Sequence, residues 1–132
     1  GKCHMYMPYD EIADDLRALG FSGGTIVSYS TSIVDIGENL KQYFPRSRVF
    51  SAKWPAAYPR PSEDAAACVV VWDADRVPGM YRKLTAQKVE PLLAPISGDI
   101  AHGVIRRTLH GSERPAIGIG YAVMSAGQQV CP

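Results

Sequence analysis

A chain of 132 residues lies within the size of one domain and buries about two thirds of its unfolded surface, so a single core over residues 1–132 is expected. An apolar fraction of 46% beside 20% charged residues excludes a disordered segment, and a net charge of +1 with interspersed signs excludes the basic stripe that nucleic acid requires. No apolar run reaches the roughly 18 residues of a membrane span and no signal-peptide core opens the chain, so the segment reads as soluble. The start at Gly1, running without Met into Lys2-Cys3-His4, reads as a piece excised from a longer protein; N-terminal trimming gives the same appearance.

Tyr9, Ile12, Leu16 and Leu19 recur at helical spacing with Asp10, Glu11, Asp14 and Asp15 between them and Gly20 behind, which predicts an amphipathic helix with a glycine stop. The acidic residues suit the positive end of the helix dipole and Arg17 the negative end. Thr25 to Tyr29 reads as a buried strand. Ser30-Thr31-Ser32 then supplies N-cap candidates for a second helix with Ile33, Ile36, Leu40 and Phe44 inward, Ser32 and Asp35 resembling a capping box and Pro45 ending it. Arg48 to Ser51 forms a short strand, Trp54 to Asp64 a long surface loop, and Ala67 to Trp72 an uninterrupted apolar strand expected at the sheet centre.

Pro78 suits the first turn of a third helix that runs to about Val89, with Met80, Leu84 and Gln87 inward, before Pro91 and Pro95 break it. Val104 to Leu109 and Ile117 to Val123 read as a hairpin turning around Gly111-Ser112-Glu113-Arg114. Ile117, Ile119, Tyr121 and Val123 share one face; Gly118 and Gly120 share the other, where a helix or a second chain can approach closely. The expected fold is thus a small α/β domain: a three-stranded parallel sheet with flanking helices and a C-terminal antiparallel β-hairpin.

Three cysteines permit at most one internal pair. Cys68 sits in an apolar run as a small buried hydrophobe, whereas Cys3 and Cys131 lie near termini that are often close together, so a Cys3–Cys131 staple is the expected disulfide; the alternative is three reduced thiols.

Two constellations carry candidate binding chemistry. Asp73-Ala74-Asp75 follows a strand, where a D-x-D pattern chelates a divalent cation on the diphosphate of a nucleotide sugar; as an ordinary turn, the same residues cap the next helix. Ser30, Thr31 and Ser32 stand at a helix start, where unpaired N–H groups favour a phosphate, yet no glycine-rich phosphate motif accompanies them and helix capping accounts for them equally. His4, His102 and His110 are scattered, no nucleophile elbow is present, and neither a catalytic residue, a metal site nor a cofactor is assigned. Trp54 and Tyr58 either form an apolar rim for a lipid, glycan or protein segment or pin their own loop to the sheet.

Pro8-Tyr9, Leu16, Gly20-Phe21, Gly24-Thr25-Ile26-Val27, Gly37-x-Asn39-Leu40, Phe44-Pro45, Val49 and Cys68 to Trp72 together resemble the soluble C-terminal domain of bacterial membrane glycosyltransferases of the family 39 type, relatives of the protein mannosyltransferases and the lipid A aminoarabinose transferases. The likeness covers the first half of the chain, to Asp73. It departs at Asp35-Ile36-Gly37-Glu38, which is more acidic than the pattern.

The resemblance implies an accessory domain at the periplasmic face of the inner membrane, in a parent enzyme that transfers a sugar from a polyprenyl-phosphate donor. Its partners would be the membrane part of the parent chain and a glycan or lipid-linked sugar. The family's catalytic carboxylates lie in a loop between membrane spans that nothing here matches, so no catalytic role carries over. Two other classes remain open: a free-standing α/β module binding a phosphorylated or nucleotide-sugar ligand at Ser30, Thr31, Ser32, Asp73 and Asp75, and an interaction domain dimerising through the Gly118 and Gly120 face.

Overall fold

A computed structural model of the chain describes residues 8–29, 36–51, 67–74, 85–95, 98, 100–108, 118–125 and 131. Its helices are α1 (Tyr9–Ala18), α2 (Ile36–Lys41) and α3 (Thr85–Leu93), and its strands β1 (Thr25–Tyr29), β2 (Arg48–Ser51), β3 (Ala67–Asp73), β4 (Ala101–Ile105) and β5 (Ile119–Ser125). They form one mixed sheet of order β2-β1-β3-β5-β4. The expected parallel trio β2-β1-β3 is present with Ile26 opposite Val49 and Val69. It is only part of the sheet, because β5 runs antiparallel beside β3 and β4 antiparallel beside β5.

Alternation along the strands divides the core in two. Ile26, Val69, Val71, Ile105 and Ile119 pack on one face with Ile12, Ala13 and Leu16 of α1 and Ile36 and Leu40 of α2. Val27, Phe50, Cys68, Val70, Trp72, Ala122 and Met124 pack on the other with Val89 and Leu93 of α3. Helices on both faces explain why β3 tolerates no polar interruption: from Cys68 to Asp73 each of its residues is buried.

The end of α1 follows from Gly20. The Phe21 N–H donates to the Leu16 carbonyl (2.9 Å) and the Gly20 N–H to that of Arg17 (3.1 Å), a Schellman closure with Gly20 at φ +105°. Leu16 and Phe21, which flank that closure, are both fully buried. Phe21 meets Phe44 edge-on at 5.1 Å between ring centroids, and the Arg17 guanidinium lies 4.7 Å from the Phe44 ring centroid while donating to the Tyr43 carbonyl. These contacts tie α1 to the turn after α2. The buried hydroxyls of the first βαβ unit are satisfied in turn: Ser28 Oγ accepts from the Gly37 N–H (3.1 Å), and Thr25 Oγ1 accepts from Arg48 Nε (2.8 Å).

Three expectations are corrected. First, α3 does not stop near Val89; it contains Pro91 and runs to Leu93. Proline removes one backbone bond, but Pro91 sits on the exposed side while Val89 and Leu93 are buried against the sheet, so packing carries the helix through. Met80 and Leu84, expected to face inward, lie outside the described residues, as do Trp54 and Tyr58. Second, β4 spans Ala101–Ile105 rather than Val104 to Leu109. The chain leaves the ladder at Arg106, and Arg107 reaches Asp15 of α1 with Nε donating at 2.8 Å. The expected turn at Gly111-Ser112-Glu113-Arg114 lies outside the described residues.

Third, the expected Cys3–Cys131 staple is replaced: Cys131 is bonded to Cys68, with 6.5 Å between their Cα atoms. The physical reason is that Cys68 is buried on the α3 face of β3 in the same cluster as Cys131, so the two thiols share one core. Cys3 lies outside the described residues.

Tyr29 ends β1 beside Trp72 and packs, half-buried, on the α3 side. Burial pushes its phenol above the ordinary 10.0, because the ionised ring loses hydration. A folded-state pKa above the unfolded one means that the stabilising term is complete below pH 10 and is lost as pH rises through the folded value. Urea midpoints measured from pH 9 upward are expected to fall more steeply above pH 10 for the parent than for Tyr29→Phe; equal slopes would assign the loss to other groups.

Candidate functional site

On the α3 face, three rows of residues cross the end of the sheet. Val70, Ala122 and His102 are cross-strand neighbours on β3, β5 and β4; Trp72, Gly120 and Val104 form the next row. Beyond them the Ala74 N–H donates to the Gly118 carbonyl at 3.0 Å, just past the paired strands. Because the β5 column is small, the flanking side chains lean over it. A Cβ on Gly120 would fall inside the Trp72 indole, and one on Gly118 would come within 2.9 Å of Val104 Cγ1 and 3.0 Å of an Arg106 guanidinium nitrogen. Within the chain, the close approach expected at these glycines is made by side chains of the adjoining strands and the β4 exit.

Between these side chains and the last turns of α3 lies a hollow of about 410 Å³ lined by Trp72, Ala74, Glu90, Leu93, Ala94 and, from β4 and its exit, residues 102–104 and Arg106. Its base is apolar: Trp72 is 5% and Leu93 5% exposed. The polar groups are on the rim. Glu90, on α3, supplies a carboxylate acceptor; Arg106 supplies up to five N–H donors in a planar fork, and His102 a ring that both donates and accepts when neutral. All three side chains are solvent-exposed, so the hollow is open to a ligand from the α3–β4 side.

Of the five residues singled out from the sequence for ligand binding, Asp73 is among the described residues. Asp73 is buried, at 5% exposure, as the last residue of β3 opposite Ile119. Strand alternation places it on the α1–α2 face, away from the hollow, and its neighbour Trp72 on the α3 face. Ser30, Thr31, Ser32 and Asp75 lie outside the described residues. Among the described residues no group of three or more His, Cys, Asp or Glu side chains is placed to hold a metal ion, and no helix is long and apolar enough to cross a membrane.

Sequence reasoning passed over Glu90, His102 and Arg106 because their signal is tertiary. They come from a helix that packs on β3 and from an edge strand and its exit two strands away, and the available clue was the small-residue face at Gly118 and Gly120. The fold and hollow define an α/β domain with helices on both faces of a mixed sheet and a ligand-sized recess between α3 and β4. No protein-family model matches the chain, and comparisons with curated proteins and with solved structures gave no match.

Proposed function

We propose that the chain is an accessory, extracytoplasmic domain of a polytopic bacterial membrane glycosyltransferase of the family 39 type, in which the membrane part transfers a sugar from a polyprenyl-phosphate donor. The domain supports that membrane part or presents its acceptor, and the chemistry of transfer belongs elsewhere in the parent chain. The observation that carries the reading is the Cys68–Cys131 disulfide, which joins the central strand to the end of the chain with both residues fully buried. Structural disulfides persist in oxidising compartments such as the periplasm and are rare in the reducing cytosol. The two segments richest in the family-like pattern, Gly24 to Val27 and Cys68 to Trp72, are also paired in register as β1 and β3.

Sequencing the reading frame upstream of Gly1 tests the proposal. Several apolar spans of about 20 residues would support a membrane parent. A start codon at or near Gly1 with no such span would overturn it and shift the weight to a free-standing ligand-binding module. Thiol labelling tests the compartment: under denaturing conditions without reductant, one cysteine of three is expected to alkylate, whereas labelling of all three in chain taken from the periplasm would remove the disulfide on which the reading stands.

A further inference from the structure

We propose that the hollow between α3 and β4 is a carbohydrate site that holds one pyranose-sized ring of an uncharged glycan. The volume of about 410 Å³ falls at the lower end of ligand recesses, which suits a monosaccharide or the terminal unit of a longer chain rather than a nucleotide sugar. A sugar ring presents C–H patches and an equatorial belt of hydroxyls. The first needs an apolar base, which Trp72, Leu93 and Val104 provide, Val104 being 47% exposed. The second needs acceptors and donors together around the rim, because every hydroxyl both gives and takes a hydrogen bond.

Glu90 on one wall and Arg106 with His102 on the other meet that need. The signs of the rim also choose against an anion: a phosphate drawn to Arg106 would be opposed by the Glu90 carboxylate, whereas a neutral polyol meets no such repulsion. The Trp72 indole of the base lies over Gly120 and the Arg106 guanidinium of the rim over Gly118, where a side chain would displace either.

The choice of a glycan over other hydroxylated rings rests on the accessory-domain reading; the recess and its polarity do not. The test is an amide and indole NMR titration of the 132-residue chain with methyl α-mannoside, methyl β-glucoside and a mannobiose, with inorganic phosphate as a separate arm. Saturable shifts at His102, Gly103, Val104 and the Trp72 indole N–H at millimolar glycoside are expected, weakened at least about tenfold in Glu90→Gln and in Arg106→Met, which is a loss of roughly 1.4 kcal/mol. Both side chains are exposed, and an unchanged spectrum outside the hollow certifies the fold of each variant. Shifts with phosphate but not with any glycoside, no saturable shift with any probe, or equal binding by both variants would overturn the proposal. A negative titration beside a reading frame rich in membrane spans would sink the glycan site alone; a positive titration beside a frame without spans would sink the membrane parent alone.

Discussion

Gly24→Ala is expected to destabilise the chain by roughly 3–5 kcal/mol and to lower its melting temperature by about 10 °C or more, the sum of a backbone conformation foreign to L-residues and a steric overlap that no rotamer relieves. Gly24 stands at φ +135° immediately before β1, and an added Cβ would fall on the main-chain carbonyl of Ala67, the first residue of β3. The backbone has no room to yield. The Gly24 N–H donates to Ser47 Oγ (3.0 Å), and its carbonyl accepts from the Arg48 N–H (2.9 Å), so moving it away from β3 breaks the entry to β2. Gly20→Ala is the control. Its φ is +105°, but nothing lies within 4 Å of the added atom, so the conformational term alone applies, about 1 kcal/mol. Urea denaturation of the two variants separates the terms, and equal losses would mean that the β1–β3 entry opens at no cost.

Reduction of Cys68–Cys131 is the second large effect. The bond spans a sequence separation of 63 residues, and in the chain-entropy account a loop of that size restrains the unfolded state by about 4 kcal/mol, a large share of an ordinary domain's stability. Urea midpoints with and without reductant are expected to differ accordingly. Because Cys131 has one partner, Cys3→Ala should leave the effect of reductant intact, whereas Cys131→Ala should abolish it. Reductant sensitivity that disappears in Cys3→Ala would restore the terminal staple and displace the pairing described here.

What was legible in the sequence is what local pattern decides. Val69, Val70 and Val71 form an apolar run too long to expose on either side, so β3 was recognisable as a doubly covered central strand, and Gly20 stopped α1 where a glycine behind Leu16 and Leu19 must. What was not legible depends on partners distant in sequence. Ala101-His102-Gly103 has no strand-like composition, and it is a strand because β5 offers a ladder beside it; Arg106 and Arg107 look no different from strand residues until Asp15 draws Arg107 toward α1. The helix through Pro91 depends on the burial of Leu93. The cysteine pairing depends on Cys131 being buried on the same face of β3 as Cys68. The hollow is of the same kind: β3, α3 and β4 each contribute part of it, and Asp73, the described member of the D-x-D pattern, faces the other side of the sheet.

The position of β5 bears on how the molecule is made. The last of the described strands is not at the margin of the sheet but inside it, and among the described residues it is the sole neighbour of β4 and the second neighbour of β3. A nascent chain can assemble β2, β1 and β3 as soon as residue 73 has emerged, yet it then presents the apolar edge of its central strand, and β4 waits with nothing to pair to. Completion is therefore a single late event in which residues 119–125 occupy a gap between strands made earlier and bring Cys131 to Cys68. A product cut short before residue 119 would carry two unsatisfied edges and a lone buried thiol, the combination that drives strand-to-strand aggregation. Truncation before residue 119 should therefore harm this chain far more than the loss of an edge element would.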